Sequence, residues 1–305
     1  MGPLNGKAVI ITGSGRGIGA ACAKYIARLG GAVVVNDVDA TEAEATAAAI
    51  RSAGGKAVAH VADITSWSAA GGLIDRCVSE FGAIDGLVNN AGLFSMGRLD
   101  EMTDGGLRRL LEVNVVGTAN CAAHAVKPML ARGTGSIVNV TSGAHMGIPG
   151  MSAYGATKGA VASFTYTWAM ELQGTGVRVN AMSPLAETRM GEESTAYARA
   201  RGIDLPKRTD MPGPEANAPL IAFLVSDDAR NVTGQIVRIE GRQLGLVAHP
   251  GIALPVIDRD AWDFESVRDA FRDSLAARQL PLGIVGLKVE FAGAGSAYWA
   301  VENKS

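Results

Sequence analysis

The chain has 305 residues, 48% of them hydrophobic and 19% charged, with a formal net charge of −2. That length and apolar content suit one large α/β domain with a short appendage better than two small domains. The near-balanced charge, without a sustained basic block, argues against a nucleic-acid groove or an anionic membrane surface and leaves a small molecule as the expected partner.

Residues 1–7 run straight into a strand-like segment with no signal-like apolar stretch, and no apolar run is long enough to span a bilayer. A cytoplasmic protein that does not enter the membrane is expected. Gly2 is followed by Pro3, which disfavours myristoylation.

Strand-like apolar runs recur at residues 8–12, 32–36, 56–61, 84–89, 136–141, 177–182 and 235–239, with Ala-rich segments of helical period between them. This alternation predicts a parallel sheet of about seven strands covered by helices on both faces, with ligands at the strand C-termini. Cys22, Cys77 and Cys121 lie in helix-like segments without zinc-binding spacing, so they read as reduced core thiols and no metal is expected.

Directly after the first strand comes Thr12-Gly13-Ser14-Gly15-Arg16-Gly17-Ile18-Gly19. A glycine-rich turn opening a helix lets backbone approach a pyrophosphate at the helix N-terminus. The GxxxGxG spacing departs from both the GxGxxG fingerprint and the phosphate loop of ATP-binding proteins. Asp37 ends the second strand, where its carboxylate can accept from an adenosine ribose and repel a 2′-phosphate, favouring NAD over NADP. Arg16 is the counter-indication, since it could pair with such a phosphate. Asp63 ends the third strand, placed either to meet the adenine edge or to cap the next helix.

Farther along, Ser142 follows the fifth strand and Tyr154 stands four residues before Lys158. On a helix these last two side chains share a face. A cation beside the phenol is expected to favour its phenolate form. His145 and Met146, between Ser142 and Tyr154, are expected to line the cleft, His145 tuning binding or simply occupying the loop.

Taken together, Thr12–Gly19, Asn89-Asn90-Ala91-Gly92, Asn114, Ser142, and Tyr154 with Lys158 resemble the short-chain dehydrogenase/reductase family over about residues 5–245. The resemblance implies a Rossmann-like, doubly wound sheet and a metal-free, nicotinamide-dependent oxidoreductase. It implies that Gly13, Ser14, Arg16, Gly17, Ile18 and Gly19 hold the dinucleotide, together with Asp37, Asp63 and Ile64. It adds Asn90, Ala91, Gly92, Tyr154, Lys158 and Pro184 to that set, with Thr188 reaching the carboxamide. The implied catalytic set is Asn114, Ser142, Tyr154 and Lys158. Ser142 bonds the substrate oxygen, Tyr154 exchanges its proton, Lys158 holds the nicotinamide ribose, and Asn114 anchors a water in a proton relay.

Two departures from the family pattern stand out. Ser142 lies twelve residues before Tyr154, whereas many members place the serine thirteen before, where this chain has Thr141; either hydroxyl could serve, and Ser142 is preferred for its residue type. The run Pro184-Leu185-Ala186-Glu187-Thr188-Arg189-Met190 replaces the usual Pro-Gly. It looks like the subgroup related to multifunctional β-oxidation enzymes, which implies a bulky apolar secondary alcohol, either a 3-hydroxyacyl thioester or a hydroxysteroid. Arg189, Arg199, Arg201, Lys207 and Arg208 are candidate contacts for a thioester's phosphates. A small cyclic or terpenoid alcohol is the rival substrate, and a non-catalytic dinucleotide sensor the rival class. A sugar-nucleotide epimerase is disfavoured by the glycine spacing.

Residues 192–214 read as a lid over the substrate. Two long helices near 103–130 and 152–173, the second with Val161, Phe164, Trp168 and Leu172 on one face, imply by resemblance a homodimer or homotetramer. From about residue 246 the alternation ends in an extension whose Trp262, Phe264, Val267, Phe271 and Leu275 repeat at helical spacing, a face suited to docking.

Overall fold

Runs such as Val33-Val34-Val35 are β-branched and apolar on both sides, which suits strands buried in the middle of a sheet. Val33 and Val35 enter one core cluster and Val34 the other, as alternation along a strand requires. The strands are β1 (Ala8–Ile11), β2 (Ala32–Asp37), β3 (Lys56–Val61), β4 (Gly86–Asn89), β5 (Gly135–Val140), β6 (Val177–Pro184), β7 (Ile236–Glu240) and β8 (Gln243–Leu246). They form one sheet in the order β3-β2-β1-β4-β5-β6-β7-β8, parallel throughout except for the antiparallel β7–β8 pair. The computed structural model describes residues 2–186, 189–202, 212–251 and 256–286.

The helices are α1 (Gly17–Arg28), α2 (Ala40–Ser52), α3 (Trp67–Phe81), α4 (Asp104–Leu111), α5 (Thr118–Arg132), α6 (Ser152–Glu171), α7 (Arg189–Ala200), α8 (Ala218–Val225) and α9 (Phe264–Asp273). Residues of α1, α2 and α8 share a core with Val9, Ile11, Val33 and Val35. Those of α3, α5 and α6 share the opposite core with Ile10, Val34, Leu87 and Ile137. Both sheet faces are thus covered, the layering that strand-helix alternation predicts. Asp39 caps α2 by accepting from the Thr41 and Glu42 amides, and Ser66 caps α3. Cys22, Cys77 and Cys121 are buried free thiols, and burial pushes each up to about 12.

The eight strands agree roughly with the expectation of about seven; the one beyond the expected runs is β8, which folds back on β7 through a turn at Gly241, whose φ of +57° is open to glycine. Its residues Gln243-Leu244-Gly245-Leu246 are all exposed, so no buried face marks them as a strand and pairing with β7 does. The long helix expected at 103–130 is α4 and α5 joined by a π-helical turn, Glu112–Gly117, which carries Asn114. Within that turn the Asn114 carbonyl accepts from the Thr118 hydroxyl at 2.8 Å, and its side chain is drawn to another segment.

The chain divides into the units Met1–Val247 and Ala248–Ser305. In the second, Asp263 and Ser266 form a reciprocal cap at the start of α9, and Trp262, Phe264, Val267 and Phe271 are exposed. Among the described residues, no helix is long and apolar enough to cross a membrane.

Candidate active site

Six segments that the sequence singles out emerge along one edge of the sheet, at the C-terminal ends of β1 to β6. The first is the glycine-rich turn. Gly13 has φ +59°, and a Cβ there would stand 2.8 Å from the Ala91 Cα, so only glycine permits this approach of the β1 and β4 loops. Thr12 couples the same loops, its Oγ1 accepting from the Asn90 amide at 3.1 Å and the Ala91 amide at 3.0 Å. The Asn90 side-chain amide donates back to the Thr12 and Gly13 carbonyls, each at 2.9 Å. A Cβ at Gly19 would collide with Gly13 O at 2.5 Å and Asn90 Nδ2 at 2.6 Å.

At the start of α1, Arg16 occupies the N-cap without a side-chain cap bond, so no side chain of the turn competes for the first-turn N–H groups. Gly17, with φ +59°, leaves open space where a Cβ would lie. This bare, positively polarised helix end fits an anionic group such as a pyrophosphate. Ser14 instead faces inward, donating to the Ile11 carbonyl at 2.6 Å, and Ile18 packs against the core.

Asp37 is buried at the tip of β2, where its Oδ2 accepts from the Gly15 amide at 3.0 Å and its Oδ1 from the Asp39 amide at 3.2 Å. The carboxylate therefore braces the turn in addition to standing beside it. Arg16 faces Glu42 at 3.9 Å in an exposed pair. Asp63 accepts from the Thr65 amide and hydroxyl, while Ser66 takes the helix cap. Ile64 buries its side chain in the core, where Gly117 makes room for it.

The second group gathers around α6. Tyr154 and Lys158 are both buried on its first turns. Lys158 Nζ donates to the Val140 carbonyl at 2.8 Å and lies 5.8 Å from the Tyr154 ring centre. Burial lowers Lys158 to about 8. Burial also pushes the Tyr154 phenol up to about 12, with a hydrogen bond from Ser142 acting in the opposite direction. Desolvation of the phenolate is the larger of these two effects on the phenol.

Ser142 is the hydroxyl that meets the Tyr154 phenol. Thr141, the alternative, is fully buried and donates to the Lys158 carbonyl at 2.9 Å. The His145 Nδ1 is bonded to the Ser142 carbonyl, which anchors that imidazole to the same turn. Asn114 is completely buried; its Oδ1 accepts from the Leu93 amide at 2.7 Å, and its Nδ2 donates to the Leu93 carbonyl and Thr157 Oγ1, both at 2.9 Å. Both amide hydrogens of Asn114 are therefore committed to protein. A Cβ at Gly92 would sit 3.2 Å from Asn114 Oδ1 and 3.4 Å from Lys158 Nζ, so the Asn90-Ala91-Gly92 loop lies against this cluster.

Three features escaped the sequence reading. Phe94 meets Tyr154 edge-on with centroids 4.9 Å apart, building an apolar wall beside the phenol. Thr157 joins Asn114 to α6, and its place inside the Tyr154–Lys158 turn was the available signal. Glu101 clasps α7: it accepts from Tyr197 Oη at 2.6 Å and Arg201 Nε at 2.9 Å, and the Arg201 guanidinium lies 3.8 Å over the Tyr197 ring. The Arg98 amide, the Tyr197 hydroxyl and Arg201 together hold the Glu101 carboxyl down to about 2. Arg201, a candidate phosphate contact, is therefore engaged. Pro184 closes β6, whereas Thr188, Lys207 and Arg208 lie outside the described residues, as does the middle of the expected lid.

Residues 7–198 match the family described as short chain dehydrogenase. Over 239 residues the chain is 38% identical to cis-4-hydroxycyclohexanecarboxylate dehydrogenase of Sinomonas cyclohexanicum, spanning 77% of this chain and 95% of that protein. A crystal structure of a short chain dehydrogenase from Mycobacterium avium superposes with a TM-score of 0.80 at 31% identity, over 94% of this chain and 100% of that one. The crystal structure of NAD+-bound xylitol dehydrogenase gives a TM-score of 0.72 at 31% identity, over 78% of this chain and 99% of that one.

Proposed function

The chain belongs to the short-chain dehydrogenase family and is an oxidoreductase acting on alcohol and ketone substrates, and we propose that NAD is its dinucleotide and Tyr154 its proton-exchanging residue. The observation that carries this reading is the cluster in which the Ser142 hydroxyl lies beside the buried Tyr154 phenol, with Lys158 on the same face of α6. When bound, the dinucleotide would supply the hydride-carrying chemistry for the substrate carbon.

The chain's own groups divide the remaining work. The bare start of α1 and the Gly13–Gly19 turn hold the pyrophosphate. Asp37, fixed beside Gly15, accepts from the adenosine ribose and repels a 2′-phosphate, while Arg16 turns to Glu42. These two placements support NAD over NADP. Ser142 orients the substrate oxygen, Tyr154 gives that oxygen its proton or removes it, and Lys158 supplies the nearby positive charge. Asn114 holds the loop after Gly92 against α6. Phe94 excludes water from one side of the phenol.

For the substrate, we propose a secondary alcohol on a bulky apolar framework, of the 3-hydroxyacyl thioester or hydroxysteroid kind, which the Phe94 wall suits. A second reading, a small cyclic alcohol, is favoured by the 38% identity to the hydroxycyclohexanecarboxylate dehydrogenase and by the engagement of Arg201 with Glu101. The site acts on a small molecule, and no nucleic-acid or membrane partner is part of the proposal; a homodimer or homotetramer is proposed for the assembly.

NADH-linked absorbance across hydroxyacyl thioesters, hydroxysteroids and cyclic alcohols, with NADP in parallel, tests the proposal. Turnover on the first two classes with NAD supports the leading reading. Activity confined to cyclic alcohols selects the second, and preference for NADP overturns the assignment of Asp37.

A further inference from the structure

Thr157 stands between Tyr154 and Lys158 on α6, and its side chain is completely buried. Its hydroxyl donates to the Tyr154 carbonyl at 2.8 Å and accepts from Asn114 Nδ2 at 2.9 Å. A hydroxyl has one hydrogen, so donation to Tyr154 leaves its lone pairs for the Asn114 amide, and the two bonds are compatible. Asn114 is in turn bonded twice to the backbone of Leu93. A continuous path therefore runs from the loop after β4, through the π-helical turn, to the main chain of Tyr154.

The neighbouring hydroxyl works from the other side. Thr141 at the end of β5 donates to the Lys158 carbonyl at 2.9 Å. The turn bearing Tyr154 and Lys158 is thus held between two threonine hydroxyls, one reaching the sheet and the other the Asn114 turn.

We propose that Thr157 is a positioning residue for the reaction: by tying the Tyr154 main chain to Asn114, it sets where the phenol stands relative to Ser142 and Lys158. The inference rests on the reading of Tyr154 as the proton-exchanging group. A displacement of about 1 Å at a reacting group can cost roughly 100-fold in rate, so a single buried hydroxyl is enough to matter.

The same helix contains a matched control. Thr165 is also completely buried, donates to the Val161 carbonyl at 3.0 Å and accepts from Asn139 Nδ2 at 3.0 Å, two turns beyond Lys158. Thr157→Val and Thr165→Val each remove one buried hydroxyl from an Asn–Thr–carbonyl chain, and should lower the melting temperature comparably.

Only Thr157→Val is expected to lower kcat, by about 30-fold to 100-fold, with substrate KM and NADH affinity, read by NADH fluorescence, each changed by less than about threefold. It should also move the apparent pKa of the kcat pH profile, which Thr165→Val leaves in place. Thr157→Ser should restore kcat to within about threefold of the parent protein.

Equal kcat losses in the two valine variants, or a folded Thr157→Val at parental kcat, would overturn the proposal. If Thr157→Val does not fold, Thr157→Ala and Thr157→Ser decide: equal kcat in those two also rejects it. Tyr154→Phe, run alongside, separates the two readings, since full turnover there removes the proton-exchange assignment whatever Thr157 does.

Discussion

The Lys158 ammonium is bonded to the Val140 carbonyl at 2.8 Å, inside a site where burial brings its pKa from an ordinary 10.5 to about 8. One carbonyl does not replace the water that a buried cation has lost. Between pH 8 and 10.5 the unfolded chain then binds more protons at this residue than the folded one, so the contribution of Lys158 to folding stability should rise with pH across that window, against the opposite contribution of the buried thiols. From pH 8 to pH 10 the Lys158 gain is roughly 2 kcal/mol, and the other titrating groups are common to the parent protein and a Lys158→Met variant. Denaturant unfolding at pH 8 and pH 10 checks this: the parent protein should gain on Lys158→Met, and parallel behaviour of the two would refute the burial argument.

Tyr154→Phe keeps the ring that Phe94 packs against and removes only the hydroxyl. NADH binding should survive, while turnover falls by about three orders of magnitude or more, the range expected for losing a general acid and base. Near-normal turnover would sink the mechanism.

Thr141 and Ser142 separate by the same kind of measurement. Ser142→Ala removes the hydroxyl that meets the Tyr154 phenol and should cost about 100-fold to 1,000-fold in kcat. Thr141→Val breaks a buried bond to the Lys158 carbonyl and should act mainly on stability, by about 1 kcal/mol. A reversed order of kcat losses would transfer the substrate-binding role to Thr141.

Asp37 carries two duties that substitutions can divide. Asp37→Asn keeps an acceptor for the Gly15 amide and removes the charge, so the ratio of kcat/KM for NAD over NADP should fall by about tenfold. Asp37→Ala should lower the ratio further and raise the KM for NAD, because the turn loses its brace. Unchanged selectivity in both variants would take Asp37 out of the ribose site.

Glu101→Gln removes the charge that holds Tyr197 and Arg201. Amide exchange in α7 should rise by about tenfold while α6 stays protected. Equal protection of α7 in variant and parent would show that the clasp does not set its stability.

Local rules made the sheet, the glycine turn and the Tyr154–Lys158 turn legible in the amino-acid sequence. Apolar runs of strand length, glycines where φ is positive at Gly13 and Gly17, and a four-residue helical spacing each depend on neighbours in the chain. β8 was not legible, because its only support is pairing with β7. The π-helical turn was not either, since what pulls Asn114 out of register is Leu93, far along the chain. Tertiary structure alone decided that Ser142 rather than Thr141 meets the phenol, that burial raises the pKa of Tyr154, and that Glu101 takes up Arg201. Each of these follows from packing that removes water and brings distant polar groups together, and neither desolvation nor a long-range hydrogen bond has a local period for the sequence to display.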